Sequence, residues 1–166
     1  MLWCELRGFQ RAAVGPESII RSVRDLPAAV AGLLASADDH AQRRRPAPGG
    51  WSPLEYAGHC ADVMIWYGER IGRVLTEDAA QLEPFDWDEH TAKQRYHEAG
   101  TCEILHRLSS SCDALVTRLT SLGTQEWMRT GTGSDGTARS VTDLARRAAH
   151  EAVHHTKDIR AGIDSA

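Results

Sequence analysis

Apolar residues recur along this chain at intervals of three, four and seven, the spacing of one helix face, and almost never in strict alternation. The first such stripe is Val30, Leu33, Leu34 and Ala37, inside a helix predicted from about Glu17 to Gln42. A break is expected near Asp25-Leu26-Pro27, where Asp25 can cap a new first turn that Pro27 opens. The second helix has the clearest start: Ser52 as N-cap, Pro53 in the first turn and Glu55 completing an S-x-x-E capping box. It runs to about Leu75 and carries Leu54, Ala61, Met64, Ile65, Ile71 and Val74. A third helix is predicted from about Glu89–Thr91 to Leu122, bent at Gly100, with Ile104, Leu105, Leu108, Leu115 and Leu119 inside and Gly123 as its C′ residue.

The period is lost between Gly123 and Arg139, where GTGSDGTAR has the composition of a turn or short hairpin. Ser140 and Asp143 then form a second capping box, opening a last helix from Val141 to about Gly162 with Leu144, Ala148, Ala152 and Ile159 on its apolar side. Long helices, short punctuated links and little strand signal predict an all-α fold, an up-and-down four-helix bundle. One domain is expected over residues 1–166, with residues 1–15 as an N-terminal extension.

Each long helix also has a polar face. On the second, Glu55, His59, Asp62 and Trp66 share one side; on the last, Asp143, Arg147, His150, His154 and Asp158 do. If these faces meet, His59, His150 and His154 can converge on one metal ion and leave a fourth position open. Asp62 and Asp158 could accept the second N–H of the imidazoles, and Glu55 or Asp62 could serve as a base. His155 points about 100° away from His154, so it is expected at the bundle edge or in solvent. His40, His90, His97 and His106 have no ligand spacing and are expected on the surface. The letters of H-E-x-x-H occur at His150 to His154, but the dozen residues that follow hold no suitable third ligand for a zinc protease.

Composition narrows the function classes. A net charge of −4 makes no electrostatic case for nucleic acid, and the one basic run, Arg43 to Arg45, sits beside a Pro/Gly-rich link. No segment approaches the length of a membrane span and no leader is evident, so a cytoplasmic location is expected. The four cysteines, Cys4, Cys60, Cys102 and Cys112, form no CxxC pair and are expected as free thiols. Cys60 adjoins His59 but points elsewhere on the helix, a poor partner for the same ion.

The segment Trp51 to His59 (WSPLEYAGH), followed by Asp62, resembles the opening of the second helix in the DinB/YfiT-like superfamily. His150 to Ile159 (HEAVHHTKDI) is similar to its fourth-helix motif, and Trp127 and the spacing of the motifs fit as well. The resemblance runs over nearly the whole chain from about residue 16. It implies a four-helix bundle holding zinc or nickel on three histidines, which fall by position at His59, His150 and His154, and it allows homodimers. It also implies a small-molecule substrate. Some members are transferases or isomerases that use mycothiol, bacillithiol or glutathione, and many have no known activity. Cys4 and Arg7-Gly8-Phe9 resemble the C-x-x-C-G-F start of some relatives, with Arg7 in place of the second cysteine. Three functions follow as expectations: a metal-dependent transferase or isomerase acting with a mycothiol-type thiol on a small electrophile, a metal-dependent hydrolase, or a non-enzymatic metal-binding stress-response module.

Overall fold

The computed structural model describes residues 15–46 and 50–165. Cys4, the segment Arg7-Gly8-Phe9 and the N-terminal extension up to residue 14 lie outside them. Among the described residues there are seven α-helices: α1 (Pro16–Ala35), α2 (Asp39–Arg43), α3 (Pro53–Thr76), α4 (Trp87–Gln94), α5 (Thr101–Thr120), α6 (Thr124–Met128) and α7 (Val141–Asp164). A 3₁₀ turn, Tyr96–Glu98, separates α4 from α5. The strands are β1 (Gln81–Leu82), β2 (Thr130–Gly133) and β3 (Ala138–Ser140).

The long helices α1, α3, α5 and α7 form the expected four-helix bundle. Both predicted capping boxes are in place. Ser52 Oγ accepts from Glu55 N at 3.2 Å while Glu55 Oε2 accepts from Ser52 N at 2.8 Å, and Ser140 and Asp143 do the same for α7. The core is the sum of the inner faces: Val23, Leu26 and Val30 of α1, Met64 and Ile71 of α3, Leu108 and Leu115 of α5, Ala148 and Ile159 of α7. Ile65, expected inside, is instead exposed.

Neighbours around the bundle are not sequential. Both α3 and α1 pack against α5 and α7, whereas α1 and α3 barely touch and so stand diagonally opposite. Because α3 and α5 run in the same direction, with Asp62 beside Arg107 and Gly72 beside Arg118, the links α1–α3 and α5–α7 cross opposite ends of the bundle. The second carries α6 and the β2–β3 hairpin, which pairs antiparallel with Thr130 opposite Ser140 and turns at Gly136, whose φ of +73° suits a residue without Cβ. β1 joins β2 in parallel, so the α3–α4 link and the hairpin form one small sheet over the bundle end. No helix among the described residues is long and apolar enough to cross a membrane.

Three boundaries differ from expectation. Pro27 lies inside α1 without breaking it, and the chain turns at residues 36–38 instead, where Asp38 caps α2. The third predicted helix is divided into α4 and α5, because Arg95 adopts left-handed φ 51° and turns Tyr96 into the core. Gly123 is not a C′ residue: α5 closes on Ser121, and Gly123 in extended conformation becomes the N-cap of α6.

Candidate metal centre

The capping box of α3 fixes the phase of that helix and thereby aims one polar stripe inward. Glu55, His59 and Asp62 are only 3%, 1% and 5% exposed. The His59 ring is enclosed by Trp51 at 4.7 Å, Trp87 at 4.9 Å and His155 at 4.8 Å between centroids. Its Nδ1 is buried with no hydrogen-bond partner. Burial, then the charges of His155 and His90, push its pKa down to about 2. His59 is thus neutral, with a buried ring nitrogen that no described residue satisfies, a state that costs about 1–3 kcal/mol unless a partner relieves it.

Opposite His59, α7 presents His155 and Glu151, four residues apart. His155 is 8% exposed, a correction to its expected place at the bundle edge. The reason is helical phase. His155 falls three residues after Ala152 and four before Ile159, both buried, so it continues the apolar stripe. Its Nε2 lies 3.0 Å from Glu151 Oε2 and its Nδ1 lies 2.9 Å from Asp158 Oδ2. Burial works to lower the His155 pKa, but the two carboxylates outweigh it and raise it. Burial works to raise Glu151, and the hydrogen bond from His155 with the surrounding histidine charges holds it below the ordinary range.

His59, Glu151 and His155 each offer a donor atom, and the three atoms lie within 4.8 Å of one another. Two imidazoles and one carboxylate are a donor set for a divalent transition metal, with one position left for a substrate atom or water. His59, buried with a ring nitrogen that has no partner among the described residues, fits a ligand to such an ion. Asp158 fits the arrangement too, since a carboxylate on the far nitrogen of a ligating histidine fixes the ring's orientation and tautomer. A second cluster, His154, His155 and Asp158, lies at the rim; Asp158 is already shared between both histidines there, and none of its members is orphaned.

Of the expected ligands, then, only His59 belongs to the inner cluster. His150 and His154 do share a face, with rings stacked 5.8 Å apart and 11° from parallel, but both are half-buried and among the described residues they are not gathered with His59. The i, i+4 relation that suggested them holds equally for Glu151 and His155, one residue later and about 100° further round. Glu151 was read only as a letter of H-E-x-x-H. The buried alanines flanking it were the signal that could have found it.

The two expected bases are engaged elsewhere. Glu55 accepts from Ser52 N and from Arg45 Nε at 3.0 Å. Burial alone would raise its pKa, but Arg45 and Ser52 outweigh that and lower it. Asp62 accepts from Tyr96 Oη and Arg107 and lies 2.7 Å from His90 Nε2. His90 is therefore half-buried rather than at the surface, while His40, His97 and His106 are exposed as expected. The Tyr96 ring reaches Asp62 across Gly58, where any Cβ would fall 2.5–2.7 Å from the ring atoms. This network pins α4 and its Trp87 over His59. Among the described residues, Cys60, Cys102 and Cys112 are free, and none joins a donor cluster.

Similar folds are known. YfiT from Bacillus subtilis, described as a probable metal-dependent hydrolase with an unusual four-helix bundle topology, superposes with a TM-score of 0.77 at 17% identity, covering 89% of both chains. The mycothiol-dependent maleylpyruvate isomerase superposes with a TM-score of 0.69 at 13% identity, covering 88% of this chain but 61% of the isomerase. A His-to-Ala variant of that isomerase gives 0.70 at 12% identity with the same coverage. This chain thus spans less than two thirds of the isomerase. A comparison with curated protein sequences gives no match. The sequence profile of the DinB superfamily matches residues 23–159, and the chain belongs to that superfamily.

Proposed function

We propose that this protein is a metal-dependent enzyme in which His59, Glu151 and His155 hold one divalent ion, and that it transfers a low-molecular-weight thiol of the mycothiol type to a small electrophile, or isomerises the electrophile through such a thiol. The observation that carries the metal assignment is the gathering of one donor atom each from buried His59, Glu151 and His155 within 4.8 Å of one another. A divalent ion at such a site acts as a Lewis acid that lowers the pKa of a thiol or water bound to it. The chain's own residues supply the rest. Asp158 accepts from His155 Nδ1 and orients the ring. Trp51, Trp87 and the His59 ring itself exclude water from one side of the cluster. Glu55 and Asp62, spent in the capping box and the Tyr96–Arg107 network, hold the scaffold and carry no proton step.

A second reading, hydrolysis of a small substrate, is favoured by the more complete overlap with YfiT, of which this chain covers 89%. A third, a metal-binding module without activity, shares the same ligands. The test is metal analysis of the purified protein alongside turnover. Wild type reloaded with zinc or nickel should bind one equivalent; His59→Ala, Glu151→Gln and His155→Ala should lose most of it, and His150→Ala should keep it. Consumption of mycothiol with a model electrophile supports thiol transfer. Turnover of an ester or amide panel without thiol overturns it in favour of hydrolysis, and one equivalent of metal with neither activity leaves the binding module.

A further inference from the structure

A second cavity opens further along the groove between α3 and α7, under the β2–β3 hairpin, with a volume of about 190 Å³. The two helices are antiparallel: Gly162 near the end of α7 sits against Pro53 at the start of α3, and His155 sits against His59. Moving along α3 from His59 to Tyr67 and Arg70 therefore means moving back along α7 from His155 to Arg147 and Leu144. The cavity walls include Trp66, Tyr67 and Leu144, with Arg70, Arg139 and Arg147 pointing charge into the same space. With a rise of about 1.5 Å per residue, Arg147 lies about 6 Å from the level of Glu151, and Tyr67 about 12 Å from that of His59.

The charges in this cavity are not balanced. Three arginines face two carboxylates, Glu83 and Asp135, leaving one net positive charge. Asp135 is already paired with Arg139 at 2.7 Å. Arg70 and Arg147 form no ion pair with any described residue. The Arg70 guanidinium instead stacks 3.8 Å over the Trp66 ring, and Arg147 hydrogen-bonds the phenol of buried Tyr67. Arg21, Arg24 and Arg160 form no ion pair either, but they are exposed, where water satisfies them. Arg70 and Arg147 are half-buried, Glu83 acts on Arg70 only from beyond ion-pair distance, and a guanidinium so withdrawn from water is a ready anion seat.

We propose that this cavity binds the carboxylate end of a small organic acid. The anion seat does not depend on the metal reading above. A single net positive charge matches a monoanionic group and disfavours a dianionic phosphate, while Trp66, Leu82 and Leu144 suit the carbon part of the ligand. Arg147 stands eight residues from His155 and Arg70 eleven from His59, about 12 and 16 Å along the groove, so the anion seat is separate from the histidine cluster.

The experiment titrates the full chain with succinate, and with neutral succinamide at matched ionic strength, by calorimetry and by Trp fluorescence, which senses Arg70 leaving the Trp66 face. One-site succinate binding should appear, at least tenfold tighter than succinamide. Arg70→Gln and Arg147→Gln should each weaken it at least tenfold, and Arg160→Gln should not change it. Arg139→Gln, on the hairpin and outside the bundle core, should weaken it at least threefold and covers the case in which Arg147→Gln fails to fold. His59→Ala should lose metal yet keep succinate binding, so failure of the metal site and failure of the anion seat give different results. Equal binding of succinamide, no succinate binding at all, or full affinity in folded Arg70→Gln and Arg139→Gln proteins overturns the proposal.

Discussion

Replacing His59 by leucine should make the metal-free protein more stable and the metal-loaded protein less stable than wild type. In the absence of metal, His59 Nδ1 is a buried polar atom with no partner, which costs about 1–3 kcal/mol. Leucine has nearly the volume of histidine, and such swaps in a packed site cost less than about 1.5 kcal/mol. The net effect expected in excess chelator is therefore a gain of about 1 kcal/mol, a rise in Tm of about 2–4 °C for a chain of this size. With zinc at about a hundred times its Kd, wild type gains about 2.7 kcal/mol by mass action, or about 5–11 °C, and the variant gains nothing. The order of melting temperatures should cross between the two conditions. Thermal unfolding followed by circular dichroism, with chelator and with titrated zinc, measures both halves. The reasoning fails if His59→Leu melts more than about 4 °C below wild type in chelator, or if zinc raises its Tm as much as it raises that of wild type.

Three further outcomes follow from the scaffold. Gly58→Ala should destabilise by about 1–3 kcal/mol despite alanine's better helix propensity, because the new Cβ meets the Tyr96 ring and forces it off Asp62; a rise in Tm would refute this. Ser52→Ala removes one half of the α3 capping box and should cost about 1 kcal/mol in urea unfolding while leaving metal content unchanged. Glu55 is held below its ordinary value of 4.5 in the folded state, so the stability it contributes is fully present above that pH and is lost as the pH falls through the lower folded value; Glu55→Gln should be less stable at pH 7 and should flatten the acid limb of stability against pH.

Helix starts were legible because each depends on a local device. The Ser52–Glu55 and Ser140–Asp143 boxes need only residues three apart, and both formed as expected. Interruptions were harder, because they answer to distant partners. Pro27 removes one backbone hydrogen bond from α1, yet Val23, Leu26 and Val30 are buried on either side of it, and their packing holds the helix through the proline. Arg95 breaks the third predicted helix because Tyr96 must reach Asp62, 34 residues away in sequence, and no local pattern encodes that contact. The candidate site shows the same division. His59 could be singled out from its motif alone. Choosing between His150 and His154 on one side and Glu151 and His155 on the other required the phase of α7, which its buried alanines carried and which pair spacing by itself does not.

The distribution of satisfied and unsatisfied groups points to the α3–α7 groove as the working surface. Elsewhere the chain pairs its charges locally: Asp39 with Arg43, Arg73 with Glu77, Glu89 with Lys93. Two deeply buried carboxylates, Asp62 with Tyr96, Arg107 and His90, and Glu55 with Arg45 and Ser52, are saturated. The exceptions are His59 Nδ1, the Thr91 hydroxyl on the helix that covers it, and the half-buried guanidinium groups of Arg70 and Arg147. The two buried orphans cost stability in the free protein, and His59, Arg70 and Arg147 lie along one groove between the same two helices. Packing does not require any of them, since leucine would fill the space of His59 and an exposed arginine would solvate itself. Local rules are broken where a ligand restores the balance. A cation facing His59, Glu151 and His155, with an anion seated between Arg70 and Arg147 one to three helical turns away, would engage His59 and both arginines together.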